Sequence, residues 1–399
     1  MPKITEQFIR KIPKTDLHLH LDGSLRLSTL IEMAKATDLE LPSYEEAGLK
    51  ELVFKNRYAD LAEYLSGFAY TVAVLQSHEN LERAAFELAV DCHAEGVRYI
   101  EVRFAPQLHV THATEIGDIV RAVFKGLETA KKQLNTSLPA SDMPFEYGII
   151  LCAMRRFSRQ MSPYYERLLN RSSTHLRYTY SRASLTLVKE AVKLRDAGLP
   201  IVGFDLAGEE AGYPAVHHKP AFQCAHSNFL RKTVHAGEAY GPESIFQAIT
   251  SCYANRIGHG TFLFSEDAIQ LKSIKDRAGY IARLSEYIAN QRITIEVCPT
   301  SNLQTTPEFK TLRDHPLGIM IENGLSVSIC TDNRLVSHTS VTNELMLCIN
   351  HLSLTENQLR DLVLAGFKRS FFPGRYSDKR SYVRQAVTLY DELAKQYCG

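Results

Sequence analysis

The sequence predicts an α/β fold, a (β/α)8 TIM barrel with extra helices after the first strand and at the C-terminus. Short runs rich in β-branched residues alternate with longer amphipathic segments, a pattern typical of parallel βα units. Eight such runs occur, the number that a barrel needs, and no repeat, linker or low-complexity tract interrupts the alternation. We therefore expect one barrel domain over residues 1–399.

The predicted strands follow one another at spacings that leave room for a helix between neighbours. In chain order they are Thr15–His20, Arg98–Phe104, Glu146–Cys152, Ile201–Leu206, Thr233–His235, Arg256–His259, Thr294–Cys298 and Ser326–Thr331. The amphipathic segments between them include Leu81–Glu95, Ile116–Leu134, Leu187–Ala197 and Ile269–Asn290.

Three further segments exceed a minimal barrel. The insertion Tyr44–Gln76 contains a predicted helix, Asp60–Leu75, and Asp378–Cys398 predicts a terminal helix packed outside the barrel. The third, Arg155–Arg182, carries seven arginines and one acidic residue. It is either a solvated surface or a site for a phosphate or an acidic partner.

Composition excludes several classes of protein. The 399 residues are 45% hydrophobic, enough for a large core, and 46 Lys and Arg nearly balance 45 Asp and Glu. A net charge of +1 gives no global field for nucleic acid or an anionic membrane. Neither a signal peptide nor a membrane span is predicted. The eight cysteines lack paired spacing, which argues against a thiolate zinc site or a disulfide framework and favours a cytoplasmic location.

The first predicted strand carries the first candidate site. Alternation along a strand places His18 and His20 on one face, and Asp22 and Gly23 follow at the strand end. Two imidazoles beside a carboxylate suit a metal ion. A lone His-x-His is nevertheless more often incidental, so this motif needs support from elsewhere in the chain.

Four later motifs provide that support, each at the end of a predicted strand. They are His235–Glu238, Arg256–Gly260, Glu296–Asn302 and Cys330–Asn333, after the fifth to eighth strands. The carboxyl ends of the strands of a barrel meet at one rim, so these His, Asp and Glu side chains are expected to converge there.

Together with Gly203–Glu209, these motifs resemble those of the adenosine deaminase family, and the resemblance extends from the first strand to the eighth. It implies a zinc-dependent hydrolase that converts adenosine, and 2′-deoxyadenosine, to the 6-oxo nucleoside and ammonia. The partner it implies is a small-molecule purine nucleoside, with no nucleic acid or membrane. No feature of the sequence specifies an oligomeric state.

The resemblance also implies the metal ligands. One Zn²⁺ per chain would be held by His18, His20, His235 and Asp332, a donor set that iron and cobalt also accept. Zinc lowers the pKa of bound water to about 7, which supplies a nucleophile near neutral pH.

The catalytic roles that it implies fall to Glu238 and His259. Attack at purine C6 moves electrons onto N1, so Glu238, with a raised pKa, would protonate N1. His259 would orient the attacking water and take or stabilise its proton.

Substrate contacts are expected from His20, Asp22, Gly208 and Asn333. Asp22 would bind a ribose hydroxyl, and the backbone amide of Gly208 would reach purine N3. Many family members carry an Asp at the position of Asn333, where it meets N7. An Asn amide donates to N7 without any pKa adjustment, which alters affinity and pH dependence.

The apolar positions Leu61, Tyr64, Leu65 and Phe68 have helical spacing. On that spacing alone they face the core. The resemblance makes them an apolar lid over the ribose, which favours a neutral nucleoside over a charged nucleotide.

Four other functional classes compete with an adenosine deaminase. A deaminase of the same fold acting on adenine, AMP or an aminofutalosine-type nucleoside stays open, although the adenine branch typically has Glu at the position of Asp22. A binuclear amidohydrolase typically has a bridging Lys at the fourth strand end, and 205–210 contains none. An inactive relative would have lost Glu238 or a ligand. A cysteine-zinc nucleic-acid deaminase needs His-x-Glu and Pro-Cys-x-x-Cys, which are absent.

Overall fold

The computed structural model describes residues 4–172 and 175–398 and confirms the predicted barrel. Eight parallel strands follow one another around the sheet in chain order, each hydrogen-bonded to the next. They are β1 (Lys14–His20), β2 (Val97–Phe104), β3 (Glu146–Met154), β4 (Ile201–Ala207), β5 (Arg231–Ala236), β6 (Arg256–His259), β7 (Thr294–Val297) and β8 (Val327–Ile329).

The seam between β1 and β8 lies at the end of both strands. Leu19 and Asp332 form an isolated parallel bridge there. The N–H of His20 donates to the Asp332 carbonyl at 2.8 Å, and the Asp332 N–H donates to the His18 carbonyl at 2.8 Å. The predicted strand 326–331 is longer than β8, because the Thr331 N–H donates to the Asp16 side chain at 3.2 Å and not to the backbone of a neighbouring strand.

Helices occupy the connections between strands. Within the described residues they are α1 (Glu6–Lys11), α2 (Leu27–Ala36), α3 (Glu46–Leu52), α4 (Leu61–Ser66), α5 (Phe68–Val74), α6 (His78–Ala94), α7 (Ile116–Thr136), α8 (Pro163–Asn170), α9 (Leu176–Asp196), α10 (Lys219–Ser227), α11 (Pro242–Cys252), α12 (Arg277–Gln291), α13 (Pro299–Thr305), α14 (Leu317–Glu322), α15 (Val341–Leu352), α16 (Glu356–Arg369) and α17 (Tyr376–Cys398). In the same part of the chain, no helix is both long and apolar enough to span a membrane.

Capping side chains explain where two predicted helices differ from the observed ones. The prediction Ile269–Asn290 began too early, because the Asp276 side chain accepts the Gly279 N–H at 2.9 Å and starts α12 there. The prediction Leu187–Ala197 began too late. Helix α9 starts at Leu176, where the His175 side chain provides the cap.

The predicted helix Asp60–Leu75 is two helices, α4 and α5, which meet at Gly67. A Cβ at Gly67 would lie 3.2 Å from the Phe54 ring, so glycine lets the junction pack closely on that ring. The predicted terminal helix is confirmed as α17. Its Tyr382 hydroxyl contacts the carbonyls of Arg98 and Pro144, at 2.6 and 2.8 Å, which docks the helix on the barrel.

Close packing of α6 on α7 depends on Gly126. A Cβ there would lie 2.1 Å from the Glu82 carbonyl oxygen. We expect Gly126→Ala to lower the stability by about 1–3 kcal/mol, because the helices must separate. Thermal denaturation measures the effect. The matched control is Gly318→Ala in α14, whose Cβ would meet only Leu352, at 3.9 Å. Equal midpoints for the two variants would contradict this account.

Candidate metal and catalytic site

Four side chains predicted to bind metal converge at the carboxyl ends of the strands. His18, His20, His235 and Asp332 each offer one ligand atom, and these atoms lie within 4.8 Å of one another. The Nε2 atom of His235 is 3.0 Å from Nε2 of His18 and 3.2 Å from Nε2 of His20. Asp332 Oδ1 is 3.4 Å from His18 Nε2 and 3.5 Å from His20 Nε2.

Two buried carboxylates orient two of these imidazoles. His18 Nδ1 donates to Glu296 Oε2 at 2.9 Å, and His235 Nδ1 contacts Asp205 Oδ2 at 3.2 Å. With Nδ1 protonated, a neutral ring presents a bare Nε2. Two bare nitrogens 3.0 Å apart repel each other unless a cation lies between them.

Arg103, on β2, joins the two carboxylates. Its Nη1 donates to Asp205 and its Nη2 to Glu296, both at 2.8 Å, and all three side chains are fully buried. Burial opposes ionisation of Glu296, but Arg103 and Arg256 outweigh it and hold the pKa of this carboxyl well below its usual range. Both carboxylates therefore remain ionised acceptors for the histidines.

The charge balance of this interior favours a cation. Arg256 bonds to Glu296 at 2.5 Å and to Glu101. The guanidinium groups of Arg103 and Arg256 are therefore paired with three carboxylates, and Asp332 is a fourth carboxylate nearby. Imidazole nitrogen and carboxylate oxygen are zinc ligands, and each ligand atom faces the others. The donor set and the excess negative charge thus fit a divalent metal ion.

Space for the cluster comes from a glycine on β6. A Cβ at Gly258 would lie 2.8 Å from Cε1 of His18, closer than such contacts occur. Any larger residue would displace the His18 ring from the cluster.

Glu238 lies beside this cluster on a loop held by another carboxylate. Glu210 accepts the backbone N–H groups of Gly237, Glu238 and Ala239 at 2.8–3.0 Å, and also contacts Ser244. Burial raises the pKa of Glu238 to about 8. Its carboxyl is therefore protonated near neutral pH and can donate a proton.

His259 completes the rim with a left-handed backbone conformation, φ 66°. Asp332 also has a positive φ, 63°. Such conformations cost about 1–3 kcal/mol each for non-glycine residues and cluster at functional sites. Within residues 4–172 and 175–398, the buried Nε2 of His259 has no hydrogen-bond partner, and it lies 3.5 Å from Glu238 Oε1.

The predicted substrate-binding residues include two unpaired buried oxygens. Asp22 Oδ1 and Asn333 Oδ1 have no hydrogen-bond partner in the described part of the chain, and burial raises the pKa of Asp22 to about 7. Gly208 has φ 93°, a conformation that favours glycine, and an added Cβ would lie 3.3 Å from Met154.

Helix α4 contacts the site through Tyr64. Its hydroxyl accepts an N–H of the Asn333 amide at 2.9 Å and lies 2.8 Å from Ser337 Oγ. The helical face predicted as an apolar lid therefore has a polar contact at its centre. Leu61, Leu65 and Phe68 are partly buried and pack on the core.

One arginine of the Arg155–Arg182 segment does not belong to a solvated surface. Arg155 is buried, and its guanidinium donates to the carbonyls of Tyr213 and His235, at 2.7 and 2.5 Å. The backbone carbonyls bind Nη1 and Nη2 and the whole side chain is buried, so Arg155 supports the fifth strand end and is not part of an exposed basic surface. Arg156, by contrast, is half-exposed and pairs with Glu209.

Sequence reasoning missed the residues that orient the site. The sequence motifs alone give no individual role to Arg103, Asp205, Glu210 or Glu296. A usable signal existed, because charged residues inside apolar strands are buried and need partners. Arg103 and Glu101, two apart in β2, share a face of that strand.

The chain is similar to several known proteins. A family model described as adenosine deaminase matches residues 13–387. The adenosine deaminase of Mycobacteroides abscessus is 34% identical, over 92% of both chains. Adenosine deaminase 1 of Streptomyces coelicolor is 34% identical, over 98% of this chain and 90% of its own. The solved N6-mAMP deaminase of arabidopsis, 24% identical, shares the fold with a TM-score of 0.73, over 97% of this chain and 99% of its own.

Proposed function

Because the chain belongs to the adenosine deaminase family, we propose that it hydrolyses adenosine to inosine and ammonia, with 2′-deoxyadenosine as a second substrate. The observation that carries the proposal is the buried carboxyl of Glu238 beside a cluster of three histidines and an aspartate. An acid next to a metal site is what hydrolysis at an amidine carbon requires. We place this step of purine metabolism in the cytoplasm, where the free thiols are stable.

The residues that would hold the metal are His18, His20, His235 and Asp332. Zinc in this position would supply a water molecule acidic enough to attack near neutral pH. The chain contributes the geometry: Glu296 orients His18 and Asp205 orients His235, so both rings present Nε2 to the ion.

Proton delivery falls to Glu238. As water attacks purine C6, the electron pair of the C6–N1 double bond moves to N1, which takes the carboxyl proton. The loop that carries Glu238 is fixed by Glu210, so the acid is positioned before substrate arrives.

The unpaired oxygens of the site would bind the nucleoside. Asp22 Oδ1 would accept a ribose hydroxyl, and the Gly208 N–H would donate to purine N3. Asn333 would donate its second amide N–H to N7, since Tyr64 accepts the first. His20, at the rim and partly exposed, would contact the substrate as well as the metal.

We expect one zinc per chain, with metal and activity lost together in His235→Ala. The remaining ligands leave an open position that no neighbour fills. Metal analysis of the purified protein, with an assay for ammonia, measures both. His226→Ala, on an exposed part of α10, is the control and should keep its metal. Two metals per chain, or none in an active preparation, would contradict this assignment.

Glu238→Gln should retain zinc and bind purine nucleoside, yet lose roughly 10³-fold or more in kcat. Glutamine keeps the shape and a hydrogen-bond donor but has no proton to transfer. Steady-state kinetics and metal content report the two properties separately, and Glu286→Gln on the exposed face of α12 serves as control. Near-normal turnover would place the proton donor elsewhere.

Adenosine should be turned over faster than AMP by roughly ten- to a hundredfold in kcat/KM, with little effect of salt. A 5′-phosphate would meet the Asp22 carboxyl, which is partly ionised near neutral pH, beneath the partly buried apolar residues of α4. The test is a panel of adenosine, 2′-deoxyadenosine, adenine and AMP, followed by ammonia release and the ultraviolet change from 6-amino to 6-oxo purine.

The opposite result has a defined meaning. A preference for AMP that Arg156→Glu or Arg159→Glu abolishes would identify a nucleotide deaminase of the same fold. A preference for adenine would point to the base as substrate.

A further inference from the structure

A chain of buried hydrogen bonds connects His259 to the start of α14. The backbone N–H of Leu317 donates to His315 Nδ1 at 3.0 Å. Because a backbone N–H can only donate, His315 Nδ1 must be the bare nitrogen of its ring.

The position of the proton on His315 determines the orientation of the Asn302 side chain. Burial lowers the pKa of His315 to about 3, so the ring is neutral and carries its one proton on Nε2. That Nε2 lies 3.2 Å from Asn302 Oδ1. The N–H therefore donates to the amide oxygen, which fixes the orientation of the Asn302 carboxamide.

Asn302 then determines the tautomer of His259. The amide nitrogen Nδ2 of Asn302 can only donate hydrogen bonds, and it lies 3.0 Å from His259 Nδ1. His259 Nδ1 accepts this bond, so the proton of the neutral ring resides on Nε2. That atom is buried and has no hydrogen-bond partner among the residues that the structure describes.

We infer that Asn302 and His315 are positioning residues that hold His259 as the Nε2–H tautomer, so that it meets the attacking oxygen as a hydrogen-bond donor. The inference rests on the proposed function for the identity of that oxygen. An N–H fixed in this direction stabilises negative charge as it develops on the oxygen during attack. A bare Nε2, which would accept a proton, is excluded by the direction of all three hydrogen bonds.

Nitrogen-15 NMR of the zinc-loaded protein tests the tautomer without turnover. With histidine ring nitrogens labelled, two-bond proton–nitrogen correlations separate bare nitrogens from N–H nitrogens. The sequence has 15 histidines, and His259→Gln identifies the signals of His259. We expect a bare Nδ1 and a protonated Nε2. A protonated Nδ1 at neutral pH would overturn the inference.

Variants of the two positioning residues test the cause. In Asn302→Asp the carboxylate can only accept, so the proton should move to His259 Nδ1. We expect kcat for adenosine to fall roughly 100-fold, with KM changed by much less. If Asn302 only filled space, the variant would lower the thermal midpoint and leave both kcat and the His259 signals unchanged, which would refute the inference.

His315 allows a matched pair should Asn302→Asp fail to fold. Glutamine at 315 has an oxygen to accept the Leu317 N–H and an N–H to donate to Asn302, whereas phenylalanine has neither. His315→Gln should keep the Nε2–H signal and most of kcat, while His315→Phe should show mixed tautomers and a lower kcat. The same tautomer pattern and the same kcat in both variants would overturn the inference.

The two readouts also separate this inference from the proposed function. Protein with the Nε2–H pattern that released no ammonia from any 6-aminopurine would refute the proposed function and support the positioning role of Asn302 and His315. Active enzyme with a protonated His259 Nδ1 would support the proposed function and refute the positioning role.

Discussion

The Arg103 guanidinium, buried between Asp205 and Glu296, is the interaction on which the site depends. Each carboxylate accepts from Arg103 on one side and from a histidine on the other, so one cation determines the positions of two imidazoles on different strands. Desolvating such charges is expensive, and each group is retained only because its partners are in place. Loss of Arg103 would leave buried Asp205 without its guanidinium partner and Glu296 with Arg256 alone, so the acceptors of both histidine rings would be held less firmly.

The carboxyl groups at the rim lie close together but fall into two classes, those with a lowered pKa and those with a raised pKa. Glu296 and Asp205 lie against cationic partners, and their pKa values are held well below the usual range. Glu238 has no cation bonded to its carboxyl, and burial raises its pKa to about 8. The same residue type is thus a permanent anion in one place and a proton donor in the other. Strand position decides which, because β2 and β6 supply the guanidinium groups to the barrel interior.

The sequence predicted the fold and the convergence of the site well, because both follow from periodicity and from the common rim of a barrel. All four expected ligand side chains meet there. Helix starts at Arg277 and Leu176 were missed, since each depends on a single cap contact. The burial of Arg155 was missed for a different reason: an arginine count does not show which guanidinium meets backbone carbonyls far away in the sequence. The link from His259 through Asn302 to His315 has no spacing signal, because it joins the end of β6 to two separate points of the β7–β8 connection.

The seam at Leu19 and Asp332 has a consequence for biosynthesis. The backbone bridge between the first and last strands is made by residues that flank or form the histidine–aspartate cluster, and these strands lie at opposite ends of the barrel sequence. While the ribosome is still synthesising β8, β1 has one unpaired edge and the cluster lacks its carboxylate. A nascent chain that stops before residue 332 therefore has neither a closed barrel nor a complete set of ligands. Closure of the sheet and completion of the histidine–aspartate cluster therefore coincide late in synthesis, and a chaperone that shields the β1 edge would protect both.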